Sequence, residues 1–296
     1  MIISSTPRFS RIVRDVWKPL TVLAVWDIIV TVSYFVLPFR APELPLTIFG
    51  TVLGLFIGFR DNSAYQRWWE GRILWGAMIN ASRSLSRSVI AFLPDEPEAA
   101  REMKRSIILR HIAYVHALRG QLRRLPDNPD IDRILGPEEA AEARSFANPA
   151  NALLTGNGRR IEEARRNGWI DTIQQTQIER VMVDISNAQG GMERIKNTPL
   201  PMQYRFFPAF FTRLFCVLLP IGLVETLGWA TPVGSTLAGL MFLAALRIGD
   251  DLTDPFSNTE HDVPMTAMCG TIEIDLKQSI GDEAPPPVTP VKNVLW

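Results

Sequence analysis

The hydrophobic positions of this chain fall into four runs, two near each end, with a long charged stretch between them. The first is Leu20 to Leu37 (LTVLAVWDIIVTVSYFVL) and the second Leu44 to Phe59 (LPLTIFGTVLGLFIGF), which holds no ionisable group. The third runs from Phe206 to Trp229 and the fourth from Val233 to Leu246. Crossing about 30 Å of hydrocarbon takes about 20 apolar residues, so the second and fourth runs are short and need neighbouring protein over their ends. Between residues 60 and 205 apolar positions recur at helical spacing with charges between them, first in AYQRWWEGRILWGAMINASRSLSRSVIAFL and then in EAAREMKRSIILRHIAYVHALRGQLRRL. GPEEAAEARSF and IEEARRNGWIDTIQQTQIERVMVDISNAQGGMERI add further helices. Breaks fall at Pro94, at the DNPD turn from Asp127 to Asp130, and at Asn, Pro and Gly clusters. Alternating strand patterns are absent. The pattern predicts an all-α membrane protein with four transmembrane helices continuous with a large helical domain, the second run being able to extend as one long helix. The organisation is 1–59 (first two spans), 60–205 (helical domain), 206–256 (last two spans) and 257–296, a polar segment with GDEAPPPVTP as an extended, mobile tail.

The second run carries a further periodicity. Gly50, Gly54 and Gly58 recur every fourth residue, which on a helix leaves one face free of side chains and open to close approach by another helix. The adjoining stripe holds Thr51, Leu55 and Phe59, one per turn. A smooth packing face beside a mostly apolar ladder suits a ring of helices around a narrow passage; the competing reading is a membrane helix packed inside one chain.

Charge orients the spans. Cations precede the first run (Arg8, Arg11, Arg14, Lys18), follow the second (Arg60, Arg67, Arg72), precede the third (Arg194, Lys196, Arg205) and follow the fourth (Arg247). The opposite links, Pro38 to Glu43 and Ala230 to Pro232, carry only Arg40 and Glu43. The positive-inside rule puts both termini and the whole middle in the cytoplasm.

Composition agrees and narrows the function classes. Of 296 residues, 47% are hydrophobic and 21% charged, with zero net charge, which fits a few spans joined to a water-exposed part and gives no basic surface for nucleic acid. Cys216 and Cys269 are the only cysteines, too few for a metal cluster and unsuited to a disulfide. No cleavable signal peptide precedes the first run. No phosphate loop, HExxH or nucleophile elbow is present, so neither an enzyme nor a cofactor is expected. His111 and His116, five apart, do not align as a ligand pair and read as core or surface residues. Glu260, His261 and Asp262 form a local cluster that reads first as a solvated turn and second as a cation site. Asp27, Arg213 and Glu225 lie within apolar runs and need partners, either across helices or along an ion path.

Residues 58 to 76, GFRDNSAYQRWWEGRILWG, resemble the bacterial branch of the bestrophin family, and so do DLTDPFSN (Asp251 to Asn258) and AQGGMERIKNTPLP (188 to 201). The resemblance runs over nearly the whole chain to about residue 280. It implies a homopentameric ion channel in the bacterial inner membrane that passes small monovalent ions, chloride being favoured and a cation remaining open. It further implies a neck of three rings from the second span at Thr51, Leu55 and Phe59, and a cytosolic constriction at Ile173. Thr51 departs from the larger aliphatic residue usual in the first ring, which would make that level wider and wetter. Arg60 and Asp61 are expected at the cytosolic exit, nearly cancelling. Only Asp262 matches a side-chain ligand of the calcium belt of animal relatives, Thr259 standing at the other acidic position, so calcium gating is not expected. Two other classes compete: a secondary transporter, which should show inverted repeats that are not found here, and a membrane-anchored scaffold.

Overall fold

In a computed structural model of the chain, residues 1–2, 9–37, 42–125 and 128–296 are described, with side chains in the first helix from residue 13 onward. The cations Arg8 and Arg40, the side chain of Arg11, link residues 38–41 and Asp127 of the expected turn lie outside them. The described residues are all-α: α1 (Phe9–Val36), α2 (Leu46–Phe92), α3 (Glu98–Leu122), α4 (Pro129–Leu135), α5 (Pro137–Arg144), α6 (Pro149–Arg166), α7 (Thr172–Asn197), α8 (Met202–Leu227), α9 (Thr231–Thr253) and α10 (Met265–Ser279). They divide into two compact units, one of residues 4–68 and 199–254 and the other of 1–3, 69–198 and 255–296. The second hydrophobic run does continue as one helix: α2 extends 47 residues without a Pro to interrupt it.

The first unit contains α1, the start of α2, α8 and α9. By length and composition, Val13–Val36 and Met202–Thr253 are apolar enough to cross a membrane. A single 3₁₀ turn at Gly228–Ala230, entered through Gly228 at φ 54°, divides the latter stretch into α8 and α9. α9 packs along α1 and α8. Gly239 permits this approach, because a Cβ there would overlap the Leu23 side chain. Val16, Leu23, Cys216 and Leu243 form one apolar cluster and Leu53, Ile57, Phe215 and Leu219 another.

In the other unit α3 is the central helix, with an almost unbroken buried run from Ile107 to Gly120. α4, α6, α7 and α10 pack around it. The later part of α2 contributes the buried stripe Trp75, Met78, Leu85 and Val89. His111 is fully buried and shares a 2.8 Å hydrogen bond with Ser82 Oγ. Burial pushes its pKa down to about 3, so it is a neutral core residue.

The C-terminal segment differs from the sequence expectation. Residues 265–279 form α10, whose Met265, Met268, Cys269, Ile272 and Leu276 are buried at helical spacing. Residues 282–290 have no regular structure, as expected, yet the segment does not end loosely. Val294 is buried and bridges Ile2, the Leu295 N–H donates to the Met1 carbonyl at 2.9 Å, and the Ala267 N–H donates to the Trp296 carbonyl at 2.7 Å. Asp262 is no solvated turn residue either. It is 3% exposed, and its carboxylate accepts from the Thr259 hydroxyl at 2.5 Å and the Thr259 N–H at 3.1 Å. A carboxylate engaged by its own turn is a poor cation ligand.

Candidate pore-lining face

Each helical residue turns about 100°, so the start of α2 presents distinct stripes. Leu53, Ile57, Arg60 and Ala64 point one way, and all four are buried within the protomer. Thr51, Leu55 and Phe59 centre on nearly the opposite direction and are exposed, Leu55 at 58% and Phe59 at 60%. The glycine stripe lies between. The Phe215 ring approaches Gly50, where a Cβ would meet it at 3.3 Å, whereas Gly54 and Gly58 face open space. On the remaining flank Ile48, Phe49, Val52 and Phe56 line an apolar groove with Phe211 and Leu214 of α8, enclosing about 530 Å³. Sequence reasoning singled out the neck stripe and missed this groove. The signal was there in PAFFTRLF, where phenylalanines recur at helical spacing.

Thr51 spends its hydroxyl proton on the Thr47 carbonyl at 2.7 Å. It therefore offers its outward face a methyl group and oxygen lone pairs rather than a free donor, which tempers the wet ring that a hydroxyl alone suggests. Ile173 stands in the first turn of α7 and is 71% exposed. A capping box fixes that turn: the Asp171 carboxylate accepts from the Gln174 N–H at 2.7 Å, and the Gln174 side chain accepts from the Asp171 N–H at 2.9 Å. An apolar side chain is thus displayed on a rigid turn.

Arg60 does not stand open at an exit. It is 1% exposed, donates to the Leu246 carbonyl at 2.9 Å, pairs with Asp250 and lies 3.5 Å from Asp61. Gly249 makes room for the Arg60 and Asp61 side chains, since a Cβ there would collide with both. A guanidinium removed from water needs such partners, so this residue ties α2 to α9. Asp27 is likewise wholly buried, its carboxylate accepting from Ser235 Oγ at 2.9 Å and Thr236 Oγ1 at 2.7 Å. It therefore joins α1 to α9 instead of lining an open path. Arg213 and Glu225 are exposed on α8. Asp27→Ala is expected to destabilise the protein in detergent by about 0.6–1.7 kcal/mol for each hydrogen bond lost. An unchanged thermal midpoint would show that the α1–α9 contact does not depend on it.

A family model described as the bacterial/fungal bestrophin protein matches residues 5–278. The chain belongs to the bestrophin family, in its bacterial and fungal branch. A voltage-dependent anion channel-forming protein of Mesorhizobium japonicum is 35% identical to this bestrophin over 252 residues, covering 85% of this chain and 79% of that one. A protein of the same description from Escherichia coli K12 is 37% identical over 240 residues, 81% of this chain and 77% of that one. The crystal structure of a bacterial bestrophin homologue from Klebsiella pneumoniae superposes with a TM-score of 0.83 at 31% identity, covering 89% of this chain and 98% of that chain. These relatives are named as channel-forming proteins or bestrophins, not as enzymes.

Proposed function

We propose that five copies of this bestrophin assemble around one axis into a channel for small monovalent ions in a bacterial inner membrane. Each copy contributes four spans, with both termini and the helical domain on the cytoplasmic side. The observation that carries the reading is the free face of α2: its own protomer packs Leu53, Ile57 and Arg60 and leaves Thr51, Leu55 and Phe59 uncovered. Exposed leucine and phenylalanine at membrane depth, beside glycines that allow close helix approach, suit a ring of identical helices. Closed into three rings, the stripe forms a neck where an ion must shed or squeeze its hydration shell, so conduction follows ring radius and wetting rather than tight binding. The Ile173 side chains form a second apolar constriction at the cytosolic end.

Chloride is the permeant ion of this reading. The relatives above carry the name of anion channel-forming proteins, and the edges of the Phe59 rings carry partial positive charge that favours an anion. The test is the reversal potential of the purified protein in a planar bilayer under a potassium chloride gradient. Chloride permeation moves it toward the chloride equilibrium potential; movement toward that of potassium overturns the anion assignment. Saturable coupled flux without unitary currents would make the protein a transporter, and electrical silence would make it a scaffold.

A further inference from the structure

In the helical unit a pocket of about 370 Å³ opens between α3, α5 and α6, and none of the residues assigned to the conduction path lines it. Its volume falls in the range of small-molecule sites. Three arginines line it, Arg110, Arg159 and Arg160, against two glutamates, Glu139 and Glu142. The arginine charge is unevenly met. One oxygen of Glu139 serves both guanidiniums nearest it, pairing with Arg110 Nη1 and lying 3.1 Å from Arg160 Nη2. Arg160 Nε is taken by Ser106 Oγ at 2.9 Å.

Arg110 is the unusual member. Its side chain is 8% exposed and its Nε has no hydrogen-bond partner. Burial, together with the Arg160 charge, pushes its pKa down to about 10, and the Glu142 carboxylate offsets part of that shift. The guanidinium lies over Gly156, where a Cβ would come within 3.0 Å of Cζ and 3.3 Å of Nε. Only glycine at 156 lets the charge sit at the pocket floor. At the rim Phe146 is 52% exposed, an aromatic ring beside a cationic cavity.

We infer that this pocket binds a small metabolite bearing a phosphate group, the phosphate held by Arg110, Arg159 and Arg160 and a planar part of the ligand packed on Phe146. Guanidinium forks match phosphate oxygens in two-bond geometry, and an exposed ring supplies a stacking face. A phosphate would lie against the guanidinium edges that line the pocket, where arginines outnumber glutamates three to two.

The test uses the full chain in detergent, titrated calorimetrically with inorganic phosphate and with phenyl phosphate at fixed ionic strength. Each is expected to bind saturably at one site per chain, phenyl phosphate more tightly. Arg159→Gln should weaken both by about tenfold, the worth of one charge-assisted contact. Phe146→Ala should weaken phenyl phosphate alone. No saturable binding to the unmodified chain, or undiminished affinity in Arg159→Gln, overturns the inference. If Arg159→Gln does not fold, Gly156→Ala, which displaces the Arg110 guanidinium, replaces it with the same two outcomes. Because binding rather than current is read, the result stands apart from the channel assignment.

Discussion

Alanine at Leu55, or at Phe59, raises unitary conductance several-fold in planar bilayers or removes gating that the native neck imposes. The expectation rests on where these side chains lie. Within the protomer Leu55 and Phe59 are more than half exposed, so neither fills its own chain's core. Truncation there leaves no cavity in the protomer, and the penalty of about 2–5 kcal/mol that attends a buried leucine or phenylalanine does not apply. What changes is the ring. In the proposed pentamer, five leucines or phenylalanines replaced by methyl groups would widen the passage and weaken the dewetting barrier, and both raise conduction. Phe59 should also alter selectivity, since its ring edges are the only aromatic charge distribution among the three levels. Single-channel recording of both variants checks this, and currents unchanged in both would remove these residues from the neck.

The largest expected loss of stability follows substitution of Glu273. This carboxylate is 2% exposed, in α10. It receives two hydrogen bonds from Arg133, at 2.7 and 2.8 Å, one at 2.9 Å shared with His116 Nε2, and the Lys277 ammonium at 3.2 Å. Glu273→Ala leaves those donors facing an apolar gap and should cost about 3 kcal/mol, the low end for a broken buried pair because Arg133 is partly solvated. Burial alone would raise the Glu273 pKa, but the hydrogen bonds from Arg133 and His116 outweigh it and hold the carboxyl well below its ordinary 4.5. A depressed folded-state pKa means that the stabilisation is complete above pH 4.5 and is lost progressively as pH falls below it. Thermal unfolding should therefore show a steeper acid loss for the native chain than for Glu273→Gln; parallel acid profiles would contradict the role given to this cluster.

The long α2 helix was legible because its apolar spacing never falters from Leu46 through Phe92 and no proline interrupts it. The stripes of Gly50 and Thr51 were legible for the same reason: one residue per turn is a local property of sequence. The burial of Arg60 was not, because its partner Asp250 lies 190 positions away and only tertiary packing joins them. Asp27 shows the same limit, its hydroxyl partners lying 208 and 209 positions on. α10 escaped notice for a different reason. Its buried positions alternate with Thr, Gly, Asp and Lys in a stretch of only 15 residues, which dilutes the helical signal below that of the spans. In the resemblance to bestrophins, the RWW element carried specificity that hydropathy alone could not.

The most direct test of the proposed water-filled neck is thiol accessibility at Leu55→Cys. The native cysteines give little background, since Cys216 and Cys269 are both buried and burial raises the Cys269 pKa to about 12. With a membrane-impermeant, water-soluble thiol reagent added to open channels, rapid and irreversible block of the Leu55→Cys current is the predicted result. Modification that never occurs while Leu55→Cys channels conduct would place that side chain against lipid or protein and contradict the account.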